Sequence, residues 1–217
     1  MKANLTELVF IIDRSGSMGG LESDTIGGFN SMLAKQQTEP GECRITTVLF
    51  DDKYEILHDR IDTKAVSPLT EKEYFVRGTT ALLDAVGKTI HKIINVQKRT
   101  APGRRAEKVV FIITTDGMEN ASREFGYGKV KSLIKQQKSR YGWEFVFLGA
   151  DIDAVDVADR IGIGRNRAQN YSKDRKGIAL NYKVLSDTVA AFRAAPQGAA
   201  LCDDWSAEIE ADYRQRG

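Results

Sequence analysis

Asp13-Arg14-Ser15-Gly16-Ser17 follows directly on the apolar run Leu8-Val9-Phe10-Ile11-Ile12, so one carboxylate and two hydroxyls fall on a turn at the end of a buried strand. Such oxygen donors suit a hard divalent cation, Mg²⁺ or Mn²⁺, better than zinc, which favours nitrogen and sulfur. The turn alone is weak grounds, because Asp and Ser also gather in strand-ending turns to satisfy their own backbone. Two later stretches supply what it lacks. Gly78-Thr79-Thr80-Ala81-Leu82 sets hydroxyls just ahead of an amphipathic helix, and Ile112-Ile113-Thr114-Thr115-Asp116-Gly117 ends a second apolar strand on a carboxylate.

In this order the segments resemble the von Willebrand factor A domain and its metal-ion-dependent adhesion site, written D-x-S-x-S, then T, then D, over about residues 5 to 195. The likeness is to the bacterial or phage-type cytoplasmic members. It implies metal-site roles for Asp13, Ser15, Ser17, Thr80 and Asp116. Thr79 is the rival to Thr80; the family usually reads Gly-Gly-Thr-Ala-Leu there, so Thr79 stands where a second glycine is expected. The resemblance further implies that the hydroxyls ligate directly and the aspartates act largely through water. One position is thereby left for an acidic side chain of a partner protein.

The elements that must bring these loops together follow from periodicity. Strands are expected at 7–12, 44–50, 54–60, 109–114 and 144–148, several of them continuous apolar runs suited to a parallel sheet covered on both faces. Asp51-Asp52-Lys53 is too short to hold a crossover helix and forces an antiparallel hairpin. Helices are expected over about 80–97, around Val130, Leu133 and Ile134, and over 176–194, where Ile178, Tyr182, Leu185, Val189 and Phe192 make a stripe. A first crossover helix over about 21–37 is weakened by Gly27-Gly28. The alternation predicts a doubly wound, mostly parallel α/β sheet with one antiparallel edge strand and helices on both faces. In such sheets ligands gather at the carboxyl ends of the strands, where the strand order reverses.

The 217 residues suit a domain over 1–195 and a tail or short capping helix over 196–217. A formal net charge of +2 gives no electrostatic case for nucleic acid or a membrane surface, and Lys98-Arg99 and Arg104-Arg105 read as a solvated loop. Cys43 and Cys202 make no disulfide framework, and the first apolar run is too short and too close to functional residues for a removable signal. A cytoplasmic location is the expectation; the oligomeric state is not legible.

An enzyme is the main rival. Haloacid-dehalogenase-like phosphohydrolases, which use Mg²⁺, keep a nucleophilic aspartate at the end of the first strand, but they need a second aspartate where this chain has Ser15. Gly16-x-x-Gly19-Gly20 lacks the lysine of a phosphate loop. The expectation is a binding module and not an enzyme. A third reading is a metal-stabilised scaffold in a larger complex, beside a chaperone-like ATPase, as the resemblance implies for cytoplasmic members. Asp151, Asp153, Asp156 and Asp159 read as the acidic start of a helix before they read as a second metal site. Asp84 reads as an early-helix acid that could touch the site from behind. His58 and His91 stand alone, and Phe125 and Tyr127 suit either a partner surface or the core.

Overall fold

The computed structural model describes residues 2–216, with side chains from Leu5 onward. Met1 and Gly217, the outer bounds of the expected domain and tail, lie outside them. Six strands form one sheet in the order β3-β2-β1-β4-β5-β6. They are β1 (Lys2–Asp13), β2 (Glu42–Phe50), β3 (Tyr54–Asp62), β4 (Ala106–Thr115), β5 (Glu144–Gly149) and β6 (Ala168–Asn170). All neighbours run parallel except β2 and β3, the hairpin that puts an antiparallel strand at one edge. The architecture is the one the sequence predicts. The expected strands are lengthened at their ends, and β6 is added.

The helices are α1 (Glu22–Thr38), α2 (Leu82–Arg99), α3 (Tyr127–Tyr141), α4 (Ala154–Ile161), α5 (Arg175–Ala194) and α6 (Ala207–Arg216). Alternation along β1 sorts the layers. Leu8, Phe10 and Ile12 pack with Phe29 of α1, Leu185 of α5 and Ile209 of α6, whereas Val9 and Ile11 pack with Val86 of α2, Ile134 of α3 and Ala158 of α4. Each face buries its own apolar stripe, which explains why the strands read as unbroken hydrophobic runs.

Local chemistry sets the helix ends. Asp174 caps α5 by accepting from the Gly177 N–H at 2.8 Å, and Asp153 caps α4 by accepting from Asp156 at 2.9 Å. Gly142 and Gly162 end α3 and α4 in the left-handed conformation at φ 62° and 90°. At the far end of α5, the buried Lys108 ammonium donates to the carbonyls of Phe192, Arg193 and Ala195, a cation where the helix dipole is negative. The segment after Pro196 is held as well. Leu201 and Trp205 join the α1/α5 core, the Trp205 indole donates to Asn166 O at 2.9 Å, and Arg167 donates to Leu201 O at 2.6 Å.

Gly27-Gly28 does not break α1, because Gly28 is where α5 comes closest. A Cβ on Gly28 would lie 2.2 Å from the ring of Tyr182, itself buried, whereas one on Gly27 would meet nothing within 4 Å. The pair should therefore separate under substitution. Gly28→Ala is expected to lose about 1–3 kcal/mol through overpacking, and Gly27→Ala to gain about 0.5–1 kcal/mol of helix propensity. Urea unfolding of the two variants measures both signs.

Candidate functional site

β1 passes to β2 on one side and, after the hairpin and α2, the chain continues as β4 on the other, so the order reverses between β1 and β4. The carboxyl ends of these two strands deliver Asp13 and Asp116. Ile12 is in register with Thr114, so Asp13 and Thr115 leave the sheet side by side. Thr115 Oγ1 donates to Asp13 Oδ2 at 2.5 Å, and the Ser15 N–H donates to Asp13 Oδ1 at 2.7 Å. Both oxygens of this fully buried carboxylate are thus spent on shaping the turn. Burial pushes its pKa from 3.8 up to about 6 against the pull of those hydrogen bonds, and the nearby charge of Asp116 adds to the rise.

The turn aims its hydroxyls at a common point. Ser15 Oγ lies 3.0 Å from Ser17 Oγ and accepts from Thr80 Oγ1 at 3.0 Å, while Ser17 Oγ donates to Asp116 Oδ1 at 2.6 Å. Asp13, Ser15, Ser17, Thr80 and Asp116 therefore meet at one edge of the sheet, although residues 13 and 116 are far apart in sequence. Thr80 is buried within the cluster, whereas Thr79 is exposed at its rim. The cluster opens into a hollow of about 390 Å³ whose walls include Gly16, Asp116, Met118, Asp151 and Lys173. A larger hollow of about 690 Å³ between α2 and α3, lined by His91, Arg105, Arg140 and Trp143 among others, shares none of these residues and takes no part in the site.

A hard cation fits this donor set. Ser15, Ser17 and Thr80 would hold it, since their oxygens are already gathered within hydrogen-bond distance of one another. Asp116 Oδ2 is buried, and the group nearest to it is the Lys173 ammonium, 2.9 Å away. Gly117 keeps the approach open, because a Cβ there would sit 2.6 Å from Thr80 Oγ1 and 3.1 Å from Ser17 Oγ. Among the described residues no three His, Cys, Asp or Glu side chains gather as a metal cluster, so a cation would depend on the hydroxyls.

Two supports escaped the sequence reading. The loop after Asp116 is stitched to the start of α2: Asn120 Oδ1 accepts from the Thr80 N–H at 2.9 Å, Glu119 from Leu83 at 2.8 Å, and Ser122 Oγ from Asp84 at 3.0 Å. These side chains satisfy amide groups that a helix start leaves without partners. Asp84 returns the contact, accepting from the N–H groups of Arg123, Glu124 and Phe125 at 2.8–3.0 Å. Burial works to raise its pKa, but the three amides prevail and the net shift is downward. The other support is Arg14, whose fully buried guanidinium lies 3.3 Å from Asp51 and 2.5 Å from Glu55, tying the turn to the β2–β3 hairpin.

The remaining candidates fall outside the site. Phe125 is a core residue, His91 meets its ring edge-on at 5.4 Å, and Tyr127 lies beneath the Arg160 guanidinium at 3.9 Å. His58 stacks on Phe29 and contacts Thr47 Oγ1 at 3.0 Å. Of the four aspartates after β5, only Asp151 lines the hollow.

An open, doubly wound sheet with polar loops gathered at its switch point defines a Rossmann-like α/β domain. The von Willebrand factor type A domain model matches residues 7–181, and the chain belongs to that family. The fold is similar to that of the vWF domain of the type V pili tip protein Mfa5 from Porphyromonas gingivalis (TM-score 0.58, 13% identity, 88% of this chain and 97% of that one). It is also similar to proximal thread matrix protein 1 from the mussel byssus, in a structure with a zinc-occupied MIDAS motif (0.57, 14%, 85% and 46%). A third similar structure is the manganese-loaded TRAP protein of Plasmodium vivax (0.52, 21%, 69% and 58%). The chain spans 46% of the mussel protein and 63% of the PilB minor pilin of Streptococcus sanguinis, another similar structure. No curated protein matches the sequence.

Asp84→Asn retains only one carbonyl oxygen for three amides. Losing charge-assisted hydrogen bonds worth about 1.5–3 kcal/mol each should speed hydrogen exchange at Arg123, Glu124 and Phe125 by at least about tenfold. Amide exchange read by NMR or mass spectrometry checks this.

Proposed function

We propose that this domain binds a partner protein through a divalent cation, Mg²⁺ or Mn²⁺, at a metal-ion-dependent adhesion site, and that the group it recognises is an acidic side chain. The observation that carries this reading is the meeting of the Ser15, Ser17 and Thr80 hydroxyls beside Asp116 at the switch point. The cation supplies a Lewis-acidic point that a partner's carboxylate oxygen can join. Neutral hydroxyls in direct contact would offset less of its charge than carboxylates would, which favours an anionic oxygen at the position left for the partner. Asp13 fixes the turn, and Asp116 orients Ser17 and would hold water on the cation. The zinc in the mussel protein's MIDAS motif and the manganese in TRAP support a divalent ion here.

Binding is favoured over hydrolysis because no histidine lines the hollow among the described residues, and the hydroxyls bond to one another and to Asp116 with no general base poised on them. A net charge of +2 supports neither nucleic acid nor an anionic membrane as the partner. Among the described residues no helix is long and apolar enough to cross a membrane. A cytoplasmic location is part of the proposal and rests on the free thiols of Cys43 and Cys202.

Mg²⁺ or Mn²⁺ at ten times its Kd should stabilise the fold by about 1.4 kcal/mol, a rise of a few degrees in Tm for a chain of this size. Asp13→Ala and Asp116→Ala should abolish that rise, as read by calorimetry. Partner capture from lysate should be lost in chelator; capture that persists points to a scaffold, and cation-dependent turnover of phosphate esters points to a hydrolase.

The rise should also depend on pH. Because the folded pKa of Asp13 stands above 3.8, this carboxyl lowers stability progressively between about pH 4 and 6, and its full cost is present above about 6. Cation and proton compete to relieve that cost, so the cation-induced rise in Tm should be larger at pH 7.5 than at pH 5. Equal shifts at both values would contradict the assignment.

A further inference from the structure

We propose that Lys173 competes with divalent cations for Asp116, so that this lysine sets how much cation the site needs. The inference rests on the metal reading above and adds a residue from outside the D-x-S-x-S, T and D segments. Lys173 lies between β6 and α5, and its ammonium reaches back across the hollow to stand 2.9 Å from Asp116 Oδ2 and 3.1 Å from Asp151 Oδ2. Asp116 is wholly buried there, whereas the Asp151 side chain is 62% exposed. Asp151 takes a left-handed backbone at φ 53°, an uncommon conformation for a residue other than glycine, at the spot that lets its carboxylate meet the ammonium.

The geometry gives the lysine two carboxylates, one inside the site and one at its rim. A cation held by the hydroxyls would stand close to the charge on Asp116, and two positive groups within a few ångströms repel more strongly in a buried site than in water. Lysine is a point charge on a flexible four-carbon stem, so it can give up Asp116 and keep Asp151. By linkage, whatever Lys173 gains from Asp116 is lost from cation affinity by the same factor.

A lysine that merely tied the two loops together would leave cation affinity unchanged when removed. Competition predicts opposite signs for two measurements on one variant. Lys173→Met should bind Mn²⁺ about tenfold more tightly than wild type in calorimetric titration at pH 7.5, yet melt at a lower temperature in EDTA, because the buried Asp116 carboxylate loses the cation that stands against it. Lys173→Gln, which keeps a donor near Asp116 without the charge, should also bind more tightly and guards against misfolding of the first variant. Arg175→Met removes an equal charge two positions on, from a side chain that is 89% exposed and 3.7 Å from Asp24, and should bind Mn²⁺ as wild type does. Lysine variants that bind no more tightly than wild type overturn the proposal alone, as does equal tightening in Arg175→Met. Failure of every protein, wild type included, to bind Mn²⁺ overturns it together with the metal reading.

Discussion

Two carboxylates buried side by side at one end of the sheet impose the constraint on which this structure depends. Asp13 is fully buried and Asp116 nearly so, and the charge on Asp116 adds to the cost that burial puts on ionising Asp13. The surroundings answer that cost in steps. Asp13 is met by an amide and a threonine hydroxyl, and Asp116 by a serine hydroxyl and a lysine at the rim. Full positive compensation is not supplied from within the three loops. An anionic, oxygen-lined recess of this kind is predisposed to take a hard cation, and this imbalance adds to the meeting of hydroxyls on which the proposed function rests.

The fold makes the imbalance sustainable. The switch point between β1 and β4 brings residues 13 and 116 together without a long excursion of chain, and the helices on both faces keep the strand ends out of water. Around this rigid edge the loops are bound to one another. Gly16 N–H donates to Gly78 O at 3.1 Å, Arg77 N–H to Arg14 O at 2.9 Å, and Asn120 N–H to Thr80 O at 3.0 Å. Arg14 and Arg77 share the buried Asp51, so the hairpin turn is clamped beneath the Asp13-to-Ser17 turn. Such packing holds the hydroxyls in position and spares a ligand the cost of ordering them.

The sequence made some of this legible and not the rest, for physical reasons. Unbroken apolar runs marked β1, β4 and β5, the three-residue link marked the hairpin, and the stripe from Ile178 to Phe192 marked α5, because burial on a fixed face leaves a period in the sequence. The convergence of Asp13, Ser15, Ser17, Thr80 and Asp116 could be anticipated from a resemblance, since each sits where a strand ends or a helix begins. β6 escaped notice because its three residues, Ala168-Gln169-Asn170, carry no pattern. Glu119, Asn120 and Ser122 escaped because their partners lie 36 to 40 residues away, and no local spacing flags them. Gly28 looked like a helix weakness because propensity is a local quantity, whereas the close approach of Tyr182 is a tertiary one. Lys173 and the buried Arg14 were hidden for the same reason: a charged residue reads as solvated until its carboxylate partners are known.

Above all, the Ser15, Ser17 and Thr80 hydroxyls together should hold one hard cation. A crystal grown in millimolar Mn²⁺, with the ion located by its anomalous scattering, tests this most directly. One strong peak is expected, coordinated by those three side-chain oxygens, with Asp13 and Asp116 behind them. A peak placed instead among Asp151, Asp153 and Asp156, or none at the hydroxyl cluster, would contradict it.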